Sequence, residues 1–162
     1  MSRSYRQITR ADLSRLASIA ASDRRALFAR NPRLAKLYGQ RVICVLLCQG
    51  AALHYVDGTS GVNDFDVWTF YRARPAHSFP PRRNMPHDFG ALRFGKSPDR
   101  PHFVGRRVDC IGRSIPCRRG RDPFTAVRLW LTSSANPSPR HLAKKAAIVL
   151  EPARHRGKVV WP

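Results

Sequence analysis

The sequence predicts an α/β domain of the mixed (α+β) kind, a small mixed β-sheet with flanking helices in a single domain, and three observations predict it. Val42 to Cys48 is a run of seven apolar residues without alternation, as in a strand buried on both faces. From Asp64 to Tyr71 aromatic and β-branched residues dominate, as in a second strand. On either side lie stretches with apolar residues at helical spacing, bounded by capping residues and prolines. A chain of 162 residues is long enough for one domain with its own core and short for two.

In chain order, Thr9-Arg10-Ala11-Asp12 has the form of a capping box with Asp in place of Glu, and it opens a helix with Leu13, Leu16 and Ile19 on one face. Ser22 or Asp23 is placed to cap a second helix, Arg24 to Arg30, stopped by Asn31-Pro32. Leu34 to Tyr38 is a third short helical pattern, leading through Gly39 into the central strand. Ala51 to Val56 is expected as a short helix between the Gly50 turn and the loop Asp57-Gly58-Thr59-Ser60-Gly61. Beyond Tyr71 the composition shifts: from Arg72 to Arg107 the chain is rich in Pro and Arg with little periodicity, the mark of a long loop. Two readings of it stand side by side, a lid whose Arg82, Arg83, Arg93 and Lys96 close over phosphates, and a flexible surface insert. Arg107 to Ile111 is a short apolar strand interrupted by Asp109. Asp122-Pro123 starts a helix with the stripe Phe124, Val127, Trp130 and Leu131. Ser138-Pro139 repeats the device for a last helix with Leu142, Ala146, Val149 and Leu150 on one side. Arg140, His141, Lys144 and Lys145 fall largely on its other side, read either as a phosphate-contacting face or, by base rates, as an ordinary solvated face. Pro152 ends that helix, and Lys158 to Trp161 is left as an edge strand or a cover for the core.

The chemistry concentrates in three acids. A strand's period of two puts Asp64 and Asp66 on one face, their Cα atoms roughly 6.6 Å apart. Carboxylates that close repel unless a cation lies between them, and hard oxygen ligands suit Mg²⁺ or Mn²⁺. Asp109 is the candidate third ligand, so Asp64, Asp66 and Asp109 together could hold a pair of metal ions. The plainer alternatives are a solvated strand face for Asp64 and Asp66, and an ion pair of Asp109 with Arg106, Arg107 or Arg113.

Cys48-Gln49-Gly50-Ala51-Ala52-Leu53, the fourteen-residue step from Gly50 to Asp64, and Asp64-Phe65-Asp66-Val67 resemble the core of the polymerase-β-type nucleotidyltransferase superfamily. In that family a strand ends in a Gly-Gly or Gly-Ser turn, a short helix follows, the next strand carries Asp-x-Asp, and a later strand carries a third acid. The resemblance covers roughly residues 20 to 135, and residues 48 to 67 are its specific part. It implies that Asp64, Asp66 and Asp109 are catalytic metal ligands, with Asp109 assisting deprotonation of the attacking hydroxyl. It also implies that Gln49, Gly50 and Ala51 meet a triphosphate. This chain departs from the pattern in lacking a Ser at the turn, so backbone N–H groups would have to take the place of its hydroxyl.

Gly90 to Ser97 matches the phosphate-loop pattern G-x-x-x-x-G-K-[ST] letter for letter. That motif works between a strand and a helix; Pro86-His87-Asp88-Phe89 precedes it and Pro98 and Pro101 follow, so no P-loop is expected. Cys44, Cys48, Cys110 and Cys117 have no His at a zinc-ligand interval, and buried free thiols are expected rather than disulfides or structural zinc. His54 is expected on a helix surface, with a place near substrate as the sharper alternative. No hydrolase elbow, zinc-protease or dinucleotide fingerprint occurs.

Charge bounds the partners. Thirty basic residues against ten acidic ones give a formal net charge of +20, and Glu151 is the sole glutamate. The charge is spread along the chain, which points to a basic face on a folded domain with a polyanionic partner. Arginine accounts for 25 of the 30, and its fork and flat cation suit nucleic acid, RNA above DNA. No apolar run reaches the ~18 residues of a membrane span and the N-terminus has no apolar signal core, so a cytoplasmic location is expected. The functional expectation is a metal-dependent nucleotidyltransferase moving an NMP group from an NTP to a hydroxyl on RNA such as tRNA. The alternative is a non-catalytic basic nucleic-acid-binding protein on a degenerate form of the same fold.

Overall fold

Val42–Cys48 forms β1 near the middle of a six-stranded sheet, and the apolar run there explains the rest of the architecture. In this computed structural model, which describes residues 5–80, 85–90, 94, 105–133 and 137–162, both faces of β1 are covered. Val45 and Leu47 point into one core, with Leu13, Leu16, Phe65, Val67, Val108 and Ile148. Leu46 and Cys48 point into the other, with Phe70, Phe124, Val127 and Val149. A strand buried this way has no polar side to alternate with, and each Leu or Val removed from water contributes ~1.5–3 kcal/mol.

The chain runs α1 (Arg10–Arg30), α2 (Pro32–Tyr38), β1, α3 (Gln49–Asp57), β2 (Phe65–Arg72), β3 (His87–Asp88) and β4 (Arg107–Ile115). It continues with α4 (Pro123–Leu131), α5 (Pro137–Leu142), β5 (Ala146–Glu151), a 3₁₀ turn at Ala153–His155 and β6 (Val159–Trp161). The strand order is β3-β4-β2-β1-β5-β6. The β2–β4 pair is parallel and the remaining pairs are antiparallel, so the sheet is mixed as expected. Helices α1 and α3 pack on one face and α4 on the other. No helix among the described residues is long and apolar enough to cross a membrane.

Several expectations are corrected. The predicted break between two N-terminal helices is absent: Arg10–Arg30 is one helix, opened by a complete Thr9–Asp12 capping box. Asp23 is not a cap; it is buried and meets His87 Nε2 at 2.7 Å. The expected last helix through Leu150 stops at Leu142, and Ala146–Glu151 is instead β5, paired with β1. Ala146, Val149 and Leu150 do have helical spacing, but the β-branched run Ile148-Val149 sits between two strands, where pairing and double-sided burial outweigh helix propensity. The Ser138 side chain, expected to cap that helix, lies outside the described residues.

Among its described residues, the segment after Tyr71 is not a free insert. Phe79, Phe89 and Phe94 are buried, and Phe79 stacks on Tyr71 with ring centroids 4.3 Å apart. Gly112 of β4 lies beneath Phe79, where an added Cβ would come within 2.2 Å of the ring. Tyr38 O–H donates to the His77 carbonyl, holding the same segment to α2. Arg82, Arg83, Arg93 and Lys96, proposed for a lid, lie outside the described residues, as does most of the Gly90–Ser97 motif.

Candidate active site

The site begins where β1 ends. The chain leaves Cys48 through Gln49, whose φ of 64° is in the left-handed region, and enters α3. A non-glycine residue there costs roughly 1–2 kcal/mol, and such outliers gather at functional turns. No side chain caps α3, and Gln49 at its start is bridged antiparallel to Ala146 at the head of β5; backbone N–H groups at such a helix start are the kind that meet anions.

Strand parity places the acids. Phe65 and Val67 point into the core beneath α1, so Asp66 points to the opposite face, on the α4 side. Asp64 stands just before β2, two residues back on the same parity. Val108 and Cys110 share the α1-side core, which leaves Asp109 on the face of Asp66. Asp66 and Asp109 are register partners across the parallel β2–β4 pair, and Asp66 is the partner of Cys48 across β1–β2. The result is that carboxylate oxygens of Asp64, Asp66 and Asp109 all lie within 4.8 Å of one another. At that separation two charged carboxylates repel by about 3.5 kcal/mol for an effective dielectric of about 20, less where water reaches them. The field reaches further: burial first, and then the Asp66 charge, push the Cys48 thiol well above its ordinary range.

Asp109 is 3% exposed, and Arg107 of the same strand turns its Nε to both carboxylate oxygens at 3.0 and 3.1 Å. Facing the acids and pairing with an arginine are therefore combined in one residue. Asp64, Asp66, Gln49 and Gly50 line an open cleft of about 590 Å³, together with His141, Lys144 and Lys145. The Lys145 ammonium lies 3.7 Å from where a Cβ on Gly50 would be. A cation at a helix N-terminus opposes the helix dipole, and an anion seated between the two would reconcile them.

These three basic residues are not assigned to this site by the sequence, where a phosphate-contacting face ranks below the solvated face of a long helix. The signal that could have found them is the apolar run Ala146 to Leu150, bounded by Lys145 and Pro152, which reads equally as a buried strand. His54, expected on a surface, is wholly buried: its Nδ1 accepts from the Gly61 N–H at 3.0 Å, and Nε2 donates to the Arg6 carbonyl at 2.8 Å. It thereby fixes the loop leading to Asp64 rather than meeting a substrate. The four cysteines are buried thiols.

No protein-family model, curated protein or solved structure matches this chain.

Proposed function

We propose that the chain is a metal-dependent nucleotidyltransferase that moves an NMP group from an NTP to a hydroxyl of RNA. The observation that carries this reading is the convergence of Asp64, Asp66 and Asp109, two of which, Asp64 and Asp66, line a cleft shared with the start of α3 and two lysines. Three carboxylates within 4.8 Å are a hard-oxygen donor set suited to Mg²⁺ or Mn²⁺. When bound, such ions lower the pKa of a coordinated hydroxyl and neutralise charge on the phosphates.

The chain's own residues divide the remaining work. The N–H groups of Gln49, Gly50 and Ala51 and the ammonium groups of Lys144 and Lys145 hold the triphosphate by its oxygens. Asp64 and Asp66 hold the cations, and Asp109 receives the proton of the attacking hydroxyl. The new bond joins that oxygen to the α-phosphorus, the bond from the α-phosphorus to its bridging oxygen breaks, and pyrophosphate leaves. A net charge of +20 supports a polyanionic acceptor, since a small neutral acceptor requires none of it.

A specific observation favours the second reading, a basic nucleic-acid-binding protein without chemistry: Arg107 already neutralises Asp109. The test incubates wild type and an Asp64→Ala/Asp66→Ala double variant with each α-³²P-labelled NTP, Mg²⁺ and total cellular RNA. Transfer of label to RNA by wild type alone is the expected result and identifies donor and acceptor together. No label from either, with equal RNA binding by both, overturns the enzyme reading in favour of the binding protein.

A further inference from the structure

On the other face of the sheet, beneath α1, three side chains of different elements meet. Asp23 comes from α1, His87 from the two-residue strand β3, and Cys110 from β4. One oxygen, one nitrogen and the sulfur all lie within 4.8 Å of one another, and His87 Nε2 is 2.7 Å from Asp23 Oδ1. Bond lengths of about 2.0–2.3 Å to a tetrahedral zinc ion put its ligands roughly 3.3–3.8 Å apart, so small side-chain shifts would convert this trio into a coordination shell. Asp23 and Cys110 are buried, a small cavity lined by Asp23, Thr69, Tyr71 and Cys110 adjoins them, and His87 is the partly exposed member.

We propose that Asp23, His87 and Cys110 form a second metal site that takes a borderline-soft divalent cation of the zinc class. The donor set decides the class: a thiolate and an imidazole select Zn²⁺ over Mg²⁺, whereas the three-carboxylate cluster on the opposite face selects the reverse. With three protein ligands and a partly exposed edge at His87, the fourth position goes to water. Linear spacing argued against zinc because no His stands near a Cys in the sequence; the fold brings His87 to Cys110 by pairing β3 with β4, where His87 sits opposite Val108. Binding replaces the thiol's S–H bond by a sulfur–metal bond and releases the proton to solvent. Burial, with Asp23 and Asp109 adding to it, holds that thiol protonated otherwise, its pKa pushed up to about 12. The ion would tie the segment after Tyr71 to α1 and to β4, the strand in which the residue preceding Cys110, Asp109, belongs to the three-carboxylate cluster. The site stands independently of the nucleotidyltransferase reading.

The experiment loads the full chain with Co²⁺ in excess Mg²⁺ and follows the thiolate-to-cobalt absorption band, then measures bound Zn²⁺ after dialysis. Wild type and the Asp64→Ala/Asp66→Ala variant are expected to show the band and to retain one equivalent of Zn²⁺. Cys110→Ser is expected to lose the band, and His87→Gln to lose both band and retained zinc. Should those variants fail to fold, protection of Cys110 from alkylation by Zn²⁺ in wild type is the second measurement. Absence of the band and of protection in wild type, a band that survives His87→Gln, or zinc lost only from the Asp64/Asp66 variant overturns the proposal.

Discussion

Replacing Arg107 by Gln tests whether Asp109 belongs to the acidic cluster in energy as well as in geometry. In the folded protein the Arg107 guanidinium holds both oxygens of a carboxylate that is 3% exposed, while its own side chain is 52% exposed. A hydrogen bond to a charged group contributes ~1.5–3 kcal/mol, and the solvent around Arg107 reduces that toward the value of an exposed pair. We therefore expect a loss of about 1–2 kcal/mol in EDTA. For a chain of this size each kcal/mol moves the melting temperature by about 2–4 °C, so the variant should melt roughly 2–8 °C lower. Magnesium reverses the order of events. Arg107 and the cation compete for the same carboxylate, so removing the arginine should strengthen Mg²⁺ binding, and the gap between melting temperatures in Mg²⁺ and EDTA should widen. The assay is a thermal melt of both proteins across a Mg²⁺ titration. A variant that melts with wild type in EDTA would show the ion pair to be inert. A gap that stays constant would show that the cation does not use Asp109.

The remaining predictions concern the cleft's basic wall and α4. Lys145→Ala should weaken NTP binding about five- to tenfold, the loss of roughly 1 kcal/mol expected of one ammonium–phosphate contact, with little change in melting temperature; equal affinity for NTP in isothermal titration would remove Lys145 from the site. Asp122 accepts from the Thr125 N–H and Oγ at 2.9 Å as the N-cap of α4, and Asp122→Ala should cost about 1 kcal/mol in urea unfolding at neutral pH. Slight burial raises its pKa, but the Thr125 hydrogen bonds outweigh this and hold it below the ordinary carboxylate range. The stabilisation is accordingly complete above the unfolded value near pH 4 and is lost as pH falls through the lowered folded value. An Asp122→Ala penalty that persisted well below that range would contradict the cap.

Reading the sequence alone settled the features whose cause is local. The Val42–Cys48 run demanded a strand buried on both faces, the Thr9–Asp12 pattern demanded a helix start, and Asp122-Pro123 another; each lies where the residues require it. The period of two in β2 likewise put Asp66 on the parity of Asp64. Tertiary structure decided what depends on partners distant in the chain. Whether Ala146–Leu150 becomes helix or strand is nearly balanced locally, and it was the pairing offered by β1 and β6 that made it β5. That outcome moved Lys144 and Lys145 from a helix face to the rim of the acidic cleft. Register did the rest: the parallel pairing of β2 with β4 set Asp109 beside Asp66, and the short β3 carried His87 to Asp23 and Cys110. A hydrogen-bond ladder joins residues separated by tens of positions, and no spacing along the chain encodes which rung they will share.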